Sequence, residues 1–202
     1  MNNENTPTIR IVAIVGSVRP GCHTKMAIDL VVDELQGKPG VVVDIIDPIE
    51  LDLVLPGQEE TSDDGEKIRE LVTGAAGVII STPEYHGSYS STVKMVIDNL
   101  GYPSMLSGKP IALLGVAAGS IGAVKALEHL RSVCSHVGGL VLPGPVSVAS
   151  VHKVFDGEGN CLDPAIEKRI RGAGTKLVDY IHNHICPKMA MEEVARGGST
   201  EQ

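Results

Sequence analysis

Five apolar runs recur along the chain, at Ile9–Val15, Val41–Ile46, Gly77–Thr82, Pro110–Val116 and from Gly139 through Leu142 to Val148, with helical patterns between them. Most lack strict alternation, which suits parallel strands covered on both faces. Ala27, Leu30, Val31 and Leu35 keep the 3/4 spacing of a helix, as do Val93, Val96, Ile97 and Leu100. The same spacing returns in Ala123, Leu127, Leu130, Cys134 and Val137, and in Ile166, Ile170, Ala173, Leu177 and Ile181, with a shorter helix expected over Glu66–Gly74. A βαβαβαβαβα succession predicts a three-layer α/β/α sandwich with right-handed crossovers. Its five-stranded parallel sheet takes the order 2-1-3-4-5, which opens a ligand crevice at the carboxyl ends of strands 1 and 3.

Those two strands carry the two most polar loops. After strand 1 comes Gly16-Ser17-Val18-Arg19-Pro20-Gly21-Cys22-His23-Thr24, and after strand 3 comes Ser81-Thr82-Pro83-Glu84-Tyr85-His86-Gly87-Ser88-Tyr89-Ser90-Ser91-Thr92. In the first loop, backbone N–H groups at a helix N-terminus with the hydroxyls of Ser17 and Thr24 suit a phosphate. Arg19 adds a charge-assisted contact, and Gly16 and Gly21 supply unusual φ values for a tight curl. The alternative is an ordinary strand-to-helix turn capped by Ser17 and Thr24. Neither GxxxxGK[ST] nor GxGxxG is present, which argues against a triphosphate P-loop and a dinucleotide fingerprint. The second loop offers amides, the flat face of Tyr85 and the hydroxyls of Ser88 and Ser90 to a heteroaromatic ring. Its alternative is a stiff surface turn with a capping serine, in which Glu84 satisfies local backbone donors.

The remaining features narrow the setting. A chain of 202 residues with 43% hydrophobic content supports one domain, expected over residues 8–185 with flexible termini at 1–7 and 186–202. A net charge of −8 disfavours nucleic acid and anionic membrane as partners. No apolar run approaches the roughly 20 residues of a membrane span, and Asn2-Asn3-Glu4-Asn5 is no signal peptide. Four cysteines without CxxC spacing fit reduced thiols in a cytoplasmic protein. The seven histidines do not form a metal site: His129 and His136 share a helix face but stand roughly 10 Å apart by helical rise, and His182 and His184 point to different faces. Lys94 and Asp98 are spaced for a surface ion pair.

The pair GSVRPGCHT and TPEYHGSYSSTVKMVIDNL resembles the NADPH-dependent FMN reductase family, which includes azo-dye, quinone and chromate reductases on a flavodoxin-like fold. The resemblance spans roughly residues 8–183. It implies that Ser17, Arg19 and Thr24 hold the FMN phosphate, with a backbone amide from His23. It further implies that Pro83, Glu84, Tyr85, His86, Gly87 and Ser88 wrap the ring, and that Ala117-Ala118-Gly119-Ser120 approaches its other side through Gly119 and Ser120. No catalytic side chain follows from it. The chain departs from the family pattern at Cys22-His23, where a serine and a small polar residue are common, and at Asn99, where tryptophan is common. The expected activity is an FMN-dependent NAD(P)H oxidoreductase passing electrons to a small acceptor by a ping-pong mechanism, in a homodimer or homotetramer. The alternative is a flavodoxin-type electron carrier without its own NAD(P)H oxidation. Against that alternative stands a ring loop built around PEYHG rather than two flanking aromatics.

Overall fold

The computed structural model describes residues 8–58 and 62–197. Strands β1 (Ile9–Val15), β2 (Val41–Ile46), β3 (Gly77–Pro83), β4 (Pro110–Val116), β5 (Leu140–Val141) and β6 (Val146–Val148) form one parallel sheet. Its order is β2-β1-β3-β4-β5, with β6 also pairing β4, so the expected flavodoxin-like topology holds. The helices are α1 (His23–Gln36), α2 (Asp63–Gly74), α3 (Ser91–Asn99), α4 (Val124–His136), α5 (Pro164–Tyr180) and α6 (Cys186–Gly197).

Residues of β1 alternate between two apolar cores. Ile9, Ile11, Ala13 and Val15 pack with Ala27, Val31 and Leu35 of α1 and Ile170 and Leu177 of α5. Val12 and Ile14 pack with Ile68 of α2, Val93 and Val96 of α3, and Leu127 and Leu130 of α4. That alternation, with period 2 along the strand, is what places helices on both faces. Arg171 of α5 ties the first layer together at its surface, pairing with Asp33 at 2.6 Å and Glu167 at 2.8 Å. Cys134 lies inside the second core, where burial pushes its thiol up to about 12. At neutral pH it is a small apolar side chain rather than a nucleophile.

Two expectations are corrected. The fifth run is not continuous: Pro143-Gly144-Pro145 interrupts it, so β5 pairs the start of β4 and β6 pairs its end. Two prolines remove two ladder donors, which breaks a strand at this position. Helix α2 starts at Asp63, three residues earlier than expected, because Ser62 caps it by accepting from Asp64 N–H at 3.1 Å. From residue 186, where a flexible terminus was expected, the chain is helical as far as Gly197: α5 passes through a π-helical turn at Ile181–Ile185 into α6, which exposes Met189, Met191 and Val194. Residues 1–7 and 198–202, for which flexible ends were expected, lie outside the described residues. The expected Lys94–Asp98 ion pair is present at 2.6 Å. Among the described residues no helix is long and apolar enough to cross a membrane, and no cluster of His, Cys, Asp and Glu could hold a metal ion.

Candidate functional site

Five polar residues are buried among those described: Ser17, Thr24, Ser81, Thr82 and Ser90. All five lie on β1, on β3 or on the loops and helix starts that follow them. The rest of the described interior is apolar, so its buried side-chain hydrogen-bonding capacity is gathered at one rim. Buried hydroxyls must be paired, and here the pairing sews the two loops together. Ser81 Oγ donates to Ile14 C=O at 3.3 Å, and Ser90 Oγ donates to Gly16 C=O at 2.6 Å. Ser90 Oγ also accepts from Val93 N–H at 3.2 Å, capping α3, while Ser90 N–H donates to Thr82 Oγ1 at 3.1 Å.

Gly16 is needed for a different reason from the one expected. Its φ is not positive. A Cβ placed there would lie 2.1 Å from Ser81 O and 2.6 Å from Val93 Cγ2, so only glycine lets the two segments meet. Gly21 does hold a positive φ, +61°, and a Cβ there would meet nothing within 4 Å.

The start of α1 also differs from the capped turn considered above. Cys22 is the N-cap residue and makes no side-chain cap bond, and Ser17 Oγ accepts instead from Arg19 N–H at 3.3 Å. The N–H groups of His23 and Thr24 therefore have no protein acceptor among the described residues. Uncapped N–H groups at the positive end of a 14-residue helix, next to buried hydroxyls, fit a phosphate. Arg19, exposed, places its guanidinium carbon 5.2 Å from the Tyr85 ring centroid. That is within cation–π range. The residue that the resemblance assigns to the phosphate thus touches the one assigned to the ring.

The ring turn is a tight one. Tyr85 N–H donates to Ser88 C=O at 2.9 Å and Ser88 N–H to Tyr85 C=O at 3.0 Å. The two central residues hold positive φ, 50° at His86 and 74° at Gly87, the pattern of a two-residue hairpin turn. Tyr85 and Ser88 consume each other's backbone groups, so the turn's free donors are the N–H groups of His86 and Gly87. Glu84 is engaged elsewhere: its Oε2 accepts from Ala126 N–H at 3.1 Å in the first turn of α4. The N-cap residue of α4 is Ala123, which has no side chain able to cap, and Ser147 Oγ accepts from Ala123 N–H at 2.9 Å. Two remote side chains therefore do the capping, and Glu84 anchors the ring turn to α4.

The third loop closes the rim from the β4 side. Ala117 N–H donates to Val148 C=O at 2.9 Å, and Ser150 N–H donates to Gly119 C=O at 3.0 Å. A Cβ on Gly119 would meet nothing within 4 Å, which leaves room for a flat group beside Gly119 and Ser120. A separate cleft of about 920 Å³ lies at the far ends of α3 and α4, lined by residues that include Asp98, Tyr102 and His136. It contains none of the residues assigned to the cofactor.

The sequence model of the NADPH-dependent FMN reductase family matches residues 9–153, which contain all three loops. The chain belongs to this family. It is an oxidoreductase that uses FMN and a reduced nicotinamide. The chain is 31% identical over 153 residues to the NADPH azoreductase of Bacillus sp. strain OY1-2, covering 74% of this chain and 82% of that protein. It is 29% identical over 171 residues to an NAD(P)H-dependent FMN reductase of Pseudomonas aeruginosa, covering 81% and 90%. Among solved structures, the flavoenzyme NAD(P)H:(acceptor) oxidoreductase FerB of Paracoccus denitrificans has the same fold, with a TM-score of 0.75 at 22% identity over 88% of this chain and 99% of that one.

Two groups at this site escaped the sequence reading, Lys125 and His129 on α4. A Cβ on Gly87 would lie 3.4 Å from Lys125 Cδ, and His129 Nδ1 lies 3.1 Å from Ser88 Oγ. Their i,i+4 spacing puts them on one helix face, but no local signal places that face beside residues 84–88.

Proposed function

We propose that the chain binds FMN across this rim and passes electrons from NADPH or NADH to a small acceptor in a ping-pong sequence. The observation that carries the reading is the seam itself: every buried polar side chain described belongs to the two loops, beside a helix start with open N–H groups. The phosphate is held by the hydroxyls of Ser17 and Thr24, the N–H groups of His23 and Thr24, and the charge of Arg19. The ring lies against Pro83, Glu84, Tyr85, His86, Gly87 and Ser88, with Gly119 and Ser120 on its other side.

Bound flavin supplies the hydride and one-electron chemistry, and the protein supplies position and electrostatics. The N–H groups of His86 and Gly87, fixed before any ligand arrives, stabilise negative charge that develops on the ring on reduction. Glu84 contributes by holding the turn on α4 rather than by moving a proton. No side chain acts as acid or base. The acceptor is a flavin, a quinone, an azo compound or a metal oxyanion; the azoreductase relatives support the azo compound. The assembly is a homodimer or homotetramer, for which the fully exposed Tyr102 beside Pro103 offers apolar surface. The setting is the cytoplasm, where four unpaired thiols stay reduced.

One open ring face used by two substrates in turn makes a kinetic prediction. Initial rates with NAD(P)H at several fixed acceptor concentrations give parallel double-reciprocal lines. Intersecting lines, the mark of a ternary complex, would contradict the sequence. A carrier of flavodoxin type would not oxidise NAD(P)H unaided.

A further inference from the structure

The ring turn is moored on the first two turns of α4 at two points: Glu84 at Ala126 N–H, and Ser88 Oγ at His129 Nδ1, 3.1 Å away. The second mooring has a chemical consequence that the first lacks. The backbone N–H and C=O of Ser88 are both spent on Tyr85. Its N–H is thereby used up, so its hydroxyl is the one donor Ser88 can offer a ligand, and His129 holds that hydroxyl.

A hydroxyl has a single proton, and a neutral imidazole has one donor nitrogen and one acceptor nitrogen. Where His129 Nδ1 accepts, the Ser88 proton is spent and its oxygen shows a ligand only lone pairs. Where Nδ1 carries the proton and donates, the Ser88 O–H is free to donate outward. The edge of a flavin presents both an N–H group and carbonyl oxygens, so the two arrangements suit different atoms. They also differ in effect: an outward donor favours the electron-rich reduced ring, and an outward acceptor disfavours it.

We propose that His129 is a positioning residue of the FMN site, acting through Ser88: its Nδ1 sets whether the Ser88 hydroxyl donates to the flavin edge or accepts from it. The inference rests on the reading that FMN lies against this turn. His129 touches neither cofactor nor substrate, so its influence must pass through Ser88 and vanish when Ser88 has no hydroxyl.

The test uses the full chain and two readouts besides turnover: FMN affinity by flavin fluorescence titration, and the midpoint potential of bound FMN by spectroelectrochemistry. The variants are Ser88→Ala, His129→Leu, the two combined, and His129→Asn, whose amide puts a polar atom near the Nδ1 position. Ser88→Ala and His129→Leu should each raise the FMN Kd about three- to tenfold, the range of one net hydrogen bond. Both should displace the potential in the same direction. The double variant should be no worse than the weaker single one, and His129→Asn should restore most of the affinity. Wild-type affinity and potential in His129→Leu, or losses that multiply in the double variant, would overturn the role of His129 and leave FMN on the turn. Failure of the wild-type protein to bind FMN would instead remove the reading beneath it, and the proposal with it. Because His129 is exposed on α4, the leucine variant should fold, and an unchanged melting temperature separates a site effect from a stability effect.

Discussion

Gly16→Ala lowers stability by about 3 kcal/mol or more and abolishes FMN binding. The added Cβ would sit 2.1 Å from Ser81 O, a backbone atom in a strand that is buried along its whole length. It would also sit 2.6 Å from Val93 Cγ2 in the first turn of α3. Neither neighbour is the free end of a flexible side chain, so β1 and β3 must part at their carboxyl ends. For a chain of this size the loss amounts to a melting temperature lower by roughly 6–12 °C. The binding loss follows from geometry, since the same displacement moves the phosphate loop away from the ring turn. Gly21→Ala is the control. It meets no atom within 4 Å and carries only the cost of a positive φ, about 1–2 kcal/mol. Thermal melts and FMN titrations of both variants decide the point; a Gly16→Ala protein with wild-type melting and affinity would show that the seam tolerates a methyl group.

Ser90→Ala costs about 2–4 kcal/mol, from two losses. The first is the cap on Val93 N–H at 3.2 Å, worth about 1 kcal/mol. The second is the donor to Gly16 C=O at 2.6 Å, whose removal strips a buried carbonyl of that partner for about 1–3 kcal/mol. Ser90→Asp separates them. Aspartate caps a helix as well as serine does, yet an ionised carboxylate has no proton to give Gly16 and repels its carbonyl oxygen. Denaturant unfolding should therefore find Ser90→Asp no more stable than Ser90→Ala. If Ser90 served only as a cap, the aspartate variant would match the wild type.

These two residues mark how far the sequence could be read. The strand order was legible because the apolar runs and the helical spacings alternate without ambiguity. A capping serine was the alternative for this turn, since a Ser directly before a helical pattern is a local signal, but the Ser90 hydroxyl was expected to face the ring, and it caps α3 instead. Its bond to Gly16 was not legible, because it joins residues 74 positions apart. Gly16 was read as a source of unusual φ, whereas its requirement is a close approach that only the folded sheet creates. The break in the fifth run did have a local signal in Pro143 and Pro145, and so did the early start of α2 in Ser62 and the acids that follow it.

The site shows the same division. The residue types that suit a phosphate and a flat ring stood in the two loops for inspection. What the fold added was how each is employed: Glu84 spent on α4, Tyr85 and Ser88 spent on each other, and Arg19 laid over Tyr85. Helix α4 carries a faint hint of this, for a helix whose N-cap is Ala123, without a capping side chain, must find its partners elsewhere.

The account depends on FMN lying across the seam between the first and third strands. Backbone amide resonances recorded before and after addition of FMN locate it directly. The largest changes should fall on His23 and Thr24 at the start of α1 and on His86 and Gly87 at the tip of the ring turn. Changes confined to the cleft beside Tyr102 and His136, with those four amides undisturbed, would contradict it.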